Sequence, residues 1–353
     1  MVTQIAASPL AGDRSRAARR LGYVLVGLLG LTCIAGLAVG AAGTSLWSAL
    51  ADLAVGRELA LRDKVVLWDI RVPRVLMGML VGAALAVSGA VLQGLFRNPL
   101  ADPGIVGVSA GASLGAVIAI VLGGALPLAA AMGAWIVPVF AFLGAWGATM
   151  TLYRIATRAG RTSVATMLLA GIALTALTMA LTGLIVYVAD DAQLRDFTFW
   201  NMGSLAGATW GKLAVAVPLI LLPLAASGLL ARGLNGLALG EAAAGHMGIP
   251  VQRLKGAAIL IVAAATGAAV SIGGGIGFVG IVVPHLLRLA TGPDHRFLLP
   301  NAALLGAAML LLADLVSRTI IAPAELPIGI ITAIIGGPFF LFILLRQRGI
   351  VDL

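Results

Sequence analysis

Charge is scarce in this sequence: Asp, Glu, Lys and Arg make up 10% of its 353 residues, while 61% are apolar. A soluble domain cannot hide that apolar share inside one core, so most of the surface must face lipid. The single cysteine, Cys33, lies inside the first apolar run, which excludes a disulfide framework and a thiolate metal site. Histidine is nearly as rare. His246, His285 and His295 have no partner at metal-ligand spacing, which argues against a metal centre. A P-loop is also missing: the nearest approach, around Gly211 and Lys212, has Ala206 in place of the first glycine and Leu213 where a hydroxyl is required. Gly275, Gly277 and Gly280 do fit G-x-G-x-x-G, but they join two apolar stretches with no βαβ unit around them. They read as backbone flexibility or close packing, not as a dinucleotide site. No nucleophile, metal or acid–base constellation supports a membrane enzyme. An ion-driven carrier would want acids deep in its spans, and the one acid inside an apolar run, Asp314, lies near the outer end of its helix.

Ten apolar runs are present, at residues 21–42, 72–96, 105–124, 130–152, 166–189, 213–230, 257–271, 277–289, 299–321 and 328–345. A helix needs about 20 such residues to cross the hydrocarbon core with its backbone paired internally. The seventh and eighth are short and flank SIGGGIGFVG, so they are either two spans or one broken element. Arg14, Arg16, Arg19 and Arg20 precede the first run, which is too long for a signal-peptide core and reads as an uncleaved span. With that end inside, fifteen of the 23 Lys and Arg residues fall on the cytoplasmic side and eight outside. This bias predicts an N-in, C-in protein with an even number of spans, and it accounts for the basic balance without nucleic acid. The expected fold is an all-α, polytopic membrane protein of about ten helices. It forms one domain over residues 1–353, with a cytoplasmic tail at 1–20. AVSGAVLQG and AVSIGGGIG lie on oppositely running spans, as an inverted five-plus-five repeat would place them. Gly is 46 residues strong, with G-x-x-x-G spacings at Gly36/Gly40, Gly78/Gly82 and Gly107/Gly111/Gly115 that suit close helix packing.

The connection RGLNGLALGEAAAGHMGIPVQRLKG, residues 232–256, is longer than a minimal turn. Its centre reads as a short helix on an exposed turn, with Glu241 in the first turn and Gly248 near the end. Either a partner docks there or the helix lies on the lipid surface. Arg318 follows Asp314 by four residues, the spacing at which an acid and a base face each other. The two make either a self-neutralising interfacial pair or a functional one.

Three stretches carry a resemblance to a known family: IRVPRVLMGMLVGAALAVSGAVLQGLFRNPLADPGIVGVSAGASLG (70–115), LNGLALGEAAAGHMGI (234–249), and GFVGIVVPHLLRLATGPDHR with LLLADLVSRTIIAPAELPIGIITAIIGGPFF (within 277–340). They resemble the FecCD-type permeases, which import ferric siderophores, haem and cobalamin as part of type II ABC importers. The resemblance implies two copies of the permease in the bacterial inner membrane, joined to two ATPase subunits that use ATP and Mg. This chain itself would bind no cofactor. A periplasmic substrate-binding protein would deliver the ligand. By the same resemblance Leu234, Asn235, Leu237, Leu239, Gly240, Glu241, Ala242 and Gly248 form the coupling segment that rests in a groove of the ATPase. Arg71, Arg74 and Arg318 would receive acidic residues of the binding protein, with Asp314 steadying Arg318. Read without the family, Arg71 and Arg74 are snorkelling residues at the head of a span. Asn98 and Leu100, with Leu168 and Leu169, match an inner gate. RDFTFWNMGSLAGATW, residues 195–210, is most like the haem-importing branch. A flat apolar ligand would suit a slippery lining, to which Met167, Met179, Tyr187 and Phe199 could contribute, although Met also serves as a common gap filler.

Overall fold

The computed structural model describes residues 13–40, 43–125 and 127–351, so residues 1–12 of the expected tail lie outside the described residues. The chain runs α1 (Ser15–Ala38), α2 (Leu46–Ala54) and α3 (Leu61–Lys64), which continues through a π turn (Val65–Arg71) into α4 (Val72–Phe96). After a 3-10 turn (Pro103–Val106) come α5 (Val108–Val117), α6 (Pro127–Met132) and α7 (Ile136–Ala156). A two-stranded hairpin, β1 (Thr157–Arg158) and β2 (Arg161–Thr162), leads into α8 (Val164–Tyr187) and α9 (Asp191–Met202). The second half comprises α10 (Trp210–Leu237), α11 (Glu241–His246), α12 (Val251–Gly273), α13 (Val279–Thr291), α14 (His295–Ser317) and α15 (Ile328–Val351). Among the described residues, eight helical stretches are long and apolar enough to span a membrane, and α13 and the apolar part of α15 are shorter. Each of the ten expected segments contains a helix.

Their boundaries differ from the expectation in two informative places. α1 begins at Ser15, so Arg14 is its N-cap residue and Arg16, Arg19 and Arg20 are exposed in its first turns, the place where basic residues suit a membrane interface. α10 runs on through Leu237 and α12 starts at Val251, which shortens the expected 232–256 connection to residues 238–250.

α4 is the axis of the bundle. It is buried along nearly its whole length and packs against α14, α12, α10 and α13. Its glycines permit this: a β-carbon on Gly82 would lie 2.3 Å from the Gly306 carbonyl oxygen of α14, and one on Gly89 would lie 1.9 Å from that of Gly280 in α13. No side chain fits there, so the backbones themselves touch. Gly111 and Gly115 do the same for α5 on α7.

The break at SIGGGIGFVG separates two distinct helices. α13, at 13 residues, is only about 20 Å long, too short to cross the hydrocarbon core. A second half-helix completes the picture. Gln193 near the start of α9 donates to the Val121 carbonyl at 3.3 Å, while Asn201 near its end meets Ser113 at 3.4 Å, so α9 runs antiparallel to α5 and dips inward. Its end meets the α12 break and the start of α15: Ser204 N–H donates to Gly273 O at 2.9 Å, and Ile328 N–H donates to Gly203 O at 3.0 Å. Irregular backbone within a membrane protein must be paired inside the protein, and these segments pair with one another.

Candidate functional site

At the cytoplasmic end, Gly240 takes φ +106, a conformation that disfavours any side chain, and so turns the chain from α10 into α11. The residues expected to face an ATPase divide into two groups. Leu234 and Leu237 are buried in the last turns of α10, and Asn235 is a brace: its Nδ2 donates to Asp294 Oδ1 at 2.7 Å, and its own oxygen accepts from the His295 backbone at 2.9 Å. Asp294 lies between spans, and its hydrogen bonds from Arg296 hold its carboxyl at about 2. These three residues position the turn from within. Leu239, Ala242 and Gly248 are exposed and, with Met247, form its outward face. Glu241 corrects the picture of a free acid on an exposed turn. Its side chain is 41% exposed and its Oε1 takes the Lys255 ammonium at 2.7 Å, while Lys255 is buried and also donates to Thr162 O at 2.8 Å.

Asn98 and Leu100 close the end of α4, with Asn98 Oδ1 accepting the Leu100 N–H at 2.9 Å. Asp102 then caps the 3-10 turn by accepting the Gly104 N–H at 2.8 Å, and that turn packs against α8. Leu168 packs on the core, and Leu169 is exposed on the same helix. α8 is the least enclosed of the long spans. Met167 is corrected as a lining residue: it is 1% exposed and part of the core, whereas Met179, Tyr187 and Phe199 are open.

The outer end holds a cluster of charges around Asp314. Arg71, Arg74 and Arg318 are 3%, 5% and 6% exposed, so the structure does not present them to a docking partner as expected. The reason is local. Arg71 donates to the Leu37 carbonyl at 2.6 Å and the Ala38 carbonyl at 3.2 Å, and Arg318 donates to Gly36 O at 2.8 Å. Both guanidiniums therefore satisfy the open carbonyls at the C-terminus of α1. Gly36 and Gly40 leave room for them: a β-carbon at Gly40 would come within 3.0 Å of Arg71. Arg74 lies between two acids. It bonds Asp314 from Nε at 3.0 Å and forks onto Glu325 at 2.8 and 2.9 Å. Asp314 and Arg318 approach to 3.5 Å, so the expected i,i+4 pair is part of a larger cluster. Glu325, which lies between spans, has its carboxyl held below the usual range by the bonds from Arg74. Among the described residues Arg71 Nη2 has no hydrogen-bond partner, and Arg71 lines a cavity of about 170 Å³ with Val66, Ile70 and Glu325. Neither Glu325 nor the Arg74–Asp314 contact could be read from local spacing, since 251 and 240 residues separate the partners.

Comparison with known proteins assigns this membrane bundle to a family. A model of the FecCD transport family matches residues 28–346. The chain belongs to the FecCD transport family. Among FecCD relatives, the hemin transport system permease protein HmuU of Yersinia pestis is 50% identical over 281 residues, covering 79% of this chain and 83% of that protein. The cobalamin import system permease protein BtuC of Halobacterium salinarum is 47% identical over 285 residues, covering 81% and 74%. A solved structure of a metal-chelate type ABC transporter in an inward-facing conformation superposes with a TM-score of 0.81 at 32% identity, covering 93% of this chain and 99% of that one. As a FecCD permease this protein is the non-catalytic, inner-membrane component of a type II ABC importer, working with ATPase and substrate-binding partners.

Proposed function

We propose that this permease moves haem from a periplasmic binding protein into the cytoplasm by alternating access, as a pair of copies carried by two ATPase subunits. The observation that carries the choice of haem is the 50% identity to a hemin permease. The open face of α8 supports it: Met179, Tyr187 and the nearby Phe199 of α9 offer apolar, polarisable surface to a flat ligand. Among the described residues no group of three His, Cys, Asp or Glu stands close enough to trap a metal ion. The same open face is where a second copy would close the path. ATP and Mg act in the partner ATPase, and this chain contributes the face formed by Leu239, Ala242, Met247 and Gly248. At the outer end, a carboxylate of the binding protein would reach Arg71 through the cavity beside Glu325.

Cobalamin or a ferric siderophore is the second reading, favoured by the cobalamin permease at 47% identity. The test is uptake into ATP-loaded vesicles containing the permease, its ATPase and its binding protein, with haem, cobalamin and a ferric siderophore offered side by side. Haem accumulation that requires the ATPase is expected. Accumulation of another chelate without haem would overturn the assignment. Uptake that ignored the ATPase but collapsed with the proton gradient would mark an ion-driven carrier.

A further inference from the structure

Lys255 is a buried cation that none of the expected sites uses, and its partners join two separate cytoplasmic elements. One bond goes to Glu241, the first residue of α11; the other goes to the backbone carbonyl of Thr162, the last residue of β2. Thr162 is held at its other backbone group as well, because its N–H donates to Gln252 Oε1 at 2.8 Å. Gln252 and Lys255 are three residues apart on α12 and so share a face. The hairpin is closed at the same point, where the Thr157 and Thr162 hydroxyls lie 3.0 Å apart. The next residue, Ser163, is the N-cap of α8 and accepts the Thr166 N–H at 3.2 Å. Leu168 and Leu169, the gate residues expected by resemblance, follow within the first turns of that helix.

We infer that Lys255 is the positioning residue that carries movement of α11 to the start of α8, through the chain Glu241, Lys255, Thr162 and Ser163. This rests on the reading of α11 as the ATPase-coupling element. A buried ammonium that loses its carboxylate is left with one carbonyl, which is strongly unfavourable in a dry site. When α11 shifts, Lys255 and the hairpin therefore follow instead of parting from Glu241. The hairpin is a stiff lever: both its backbone groups at Thr162 are tied, and α8 begins one residue later.

The test uses the permease assembled with its ATPase in lipid discs, with Cys33→Ala to remove the one native thiol. Two single reporters, Ala242→Cys on α11 and Leu169→Cys on α8, are labelled with a membrane-impermeant maleimide, with and without a non-hydrolysable ATP analogue. In the parent, Ala242→Cys is protected by the ATPase and the labelling rate of Leu169→Cys changes severalfold with nucleotide. With Lys255→Met the protection at Ala242→Cys is kept and the nucleotide response at Leu169→Cys is lost, while Lys255→Arg restores the response. A purely structural latch would not separate the two reporters in this way. An undiminished response at Leu169→Cys in Lys255→Met overturns the relay. Absence of protection at Ala242→Cys in the parent overturns the coupling reading itself, and the relay with it. If Lys255→Met does not assemble, Lys255→Gln replaces it, with protection unchanged and the response at Leu169→Cys reduced; an undiminished response there overturns the relay.

Discussion

The two ends of this bundle handle buried cations in opposite ways. Outside, three guanidiniums share two carboxylates and the carbonyls closing α1, and Asp314 at the centre is fully buried. Inside, one ammonium meets one carboxylate that is 41% exposed, with a single backbone carbonyl as its other partner. The outer cluster is redundant and rigid, since removing any one bond leaves others. The inner pair is a single thread between α11 and the hairpin. The contrast is one of redundancy: several bonds hold each outer cation, and two hold the inner one.

The largest expected effect breaks the redundancy at its centre. Asp314→Ala leaves Arg74 and Arg318 without their buried acid and is expected to cost about 3–5 kcal/mol, as loss of one partner from a buried ion pair does. Thermal unfolding in detergent should show a drop of many degrees, and an unchanged midpoint would mean the cluster is not what holds the outer end. Lys255→Met is expected to cost at most about 2 kcal/mol, because Glu241 returns to water and only the Thr162 carbonyl loses its donor. If both substitutions destabilise equally, the contrast between the ends is wrong. Glu325→Gln is smaller still, below about 1 kcal/mol, since Glu325 is 38% exposed and Arg74 keeps Asp314. Acid sharpens this last case. Because Arg74 holds the folded carboxyl of Glu325 below its ordinary value of 4.5, the bond stabilises fully above that pH and is lost as pH falls through the lowered value. Wild type and Glu325→Gln should therefore converge in midpoint under acid and separate near neutrality.

Much of this was legible in the sequence. Ten apolar runs gave ten helical segments, Glu241 did open a short helix, and the four-residue step from Asp314 to Arg318 did mark a pair. Local periodicity carries that kind of information because each signal lies within a turn or two of helix. The rest was long-range. Arg71 and Arg74 looked like interfacial arginines because their acceptors, the end of α1 and Glu325, are separated from them by 34 and 251 residues. α9 was hidden for another reason: its polar, capped start at Asp190 looks like an outer loop, and only the pairing of its end with the α12 break shows that it turns inward. Met167 and Phe199 look alike to any composition argument, and packing alone separates core from open face.

The junction of α9, α12 and α15 bears on how the protein is made. Gly203 receives its bond from Ile328, 125 residues later, and Gly329 sits against the carbonyls of Met202 and Gly275. During synthesis the dipping end of α9 thus enters the membrane long before the segment that completes its pairing exists. Polar backbone of that kind cannot rest in hydrocarbon. Until the last span arrives, the Gly203 carbonyl therefore lacks the Ile328 donor that pairs it in the finished fold. A chain truncated before Ile328 would lack that one donor while keeping the bond from Ser204 to Gly273.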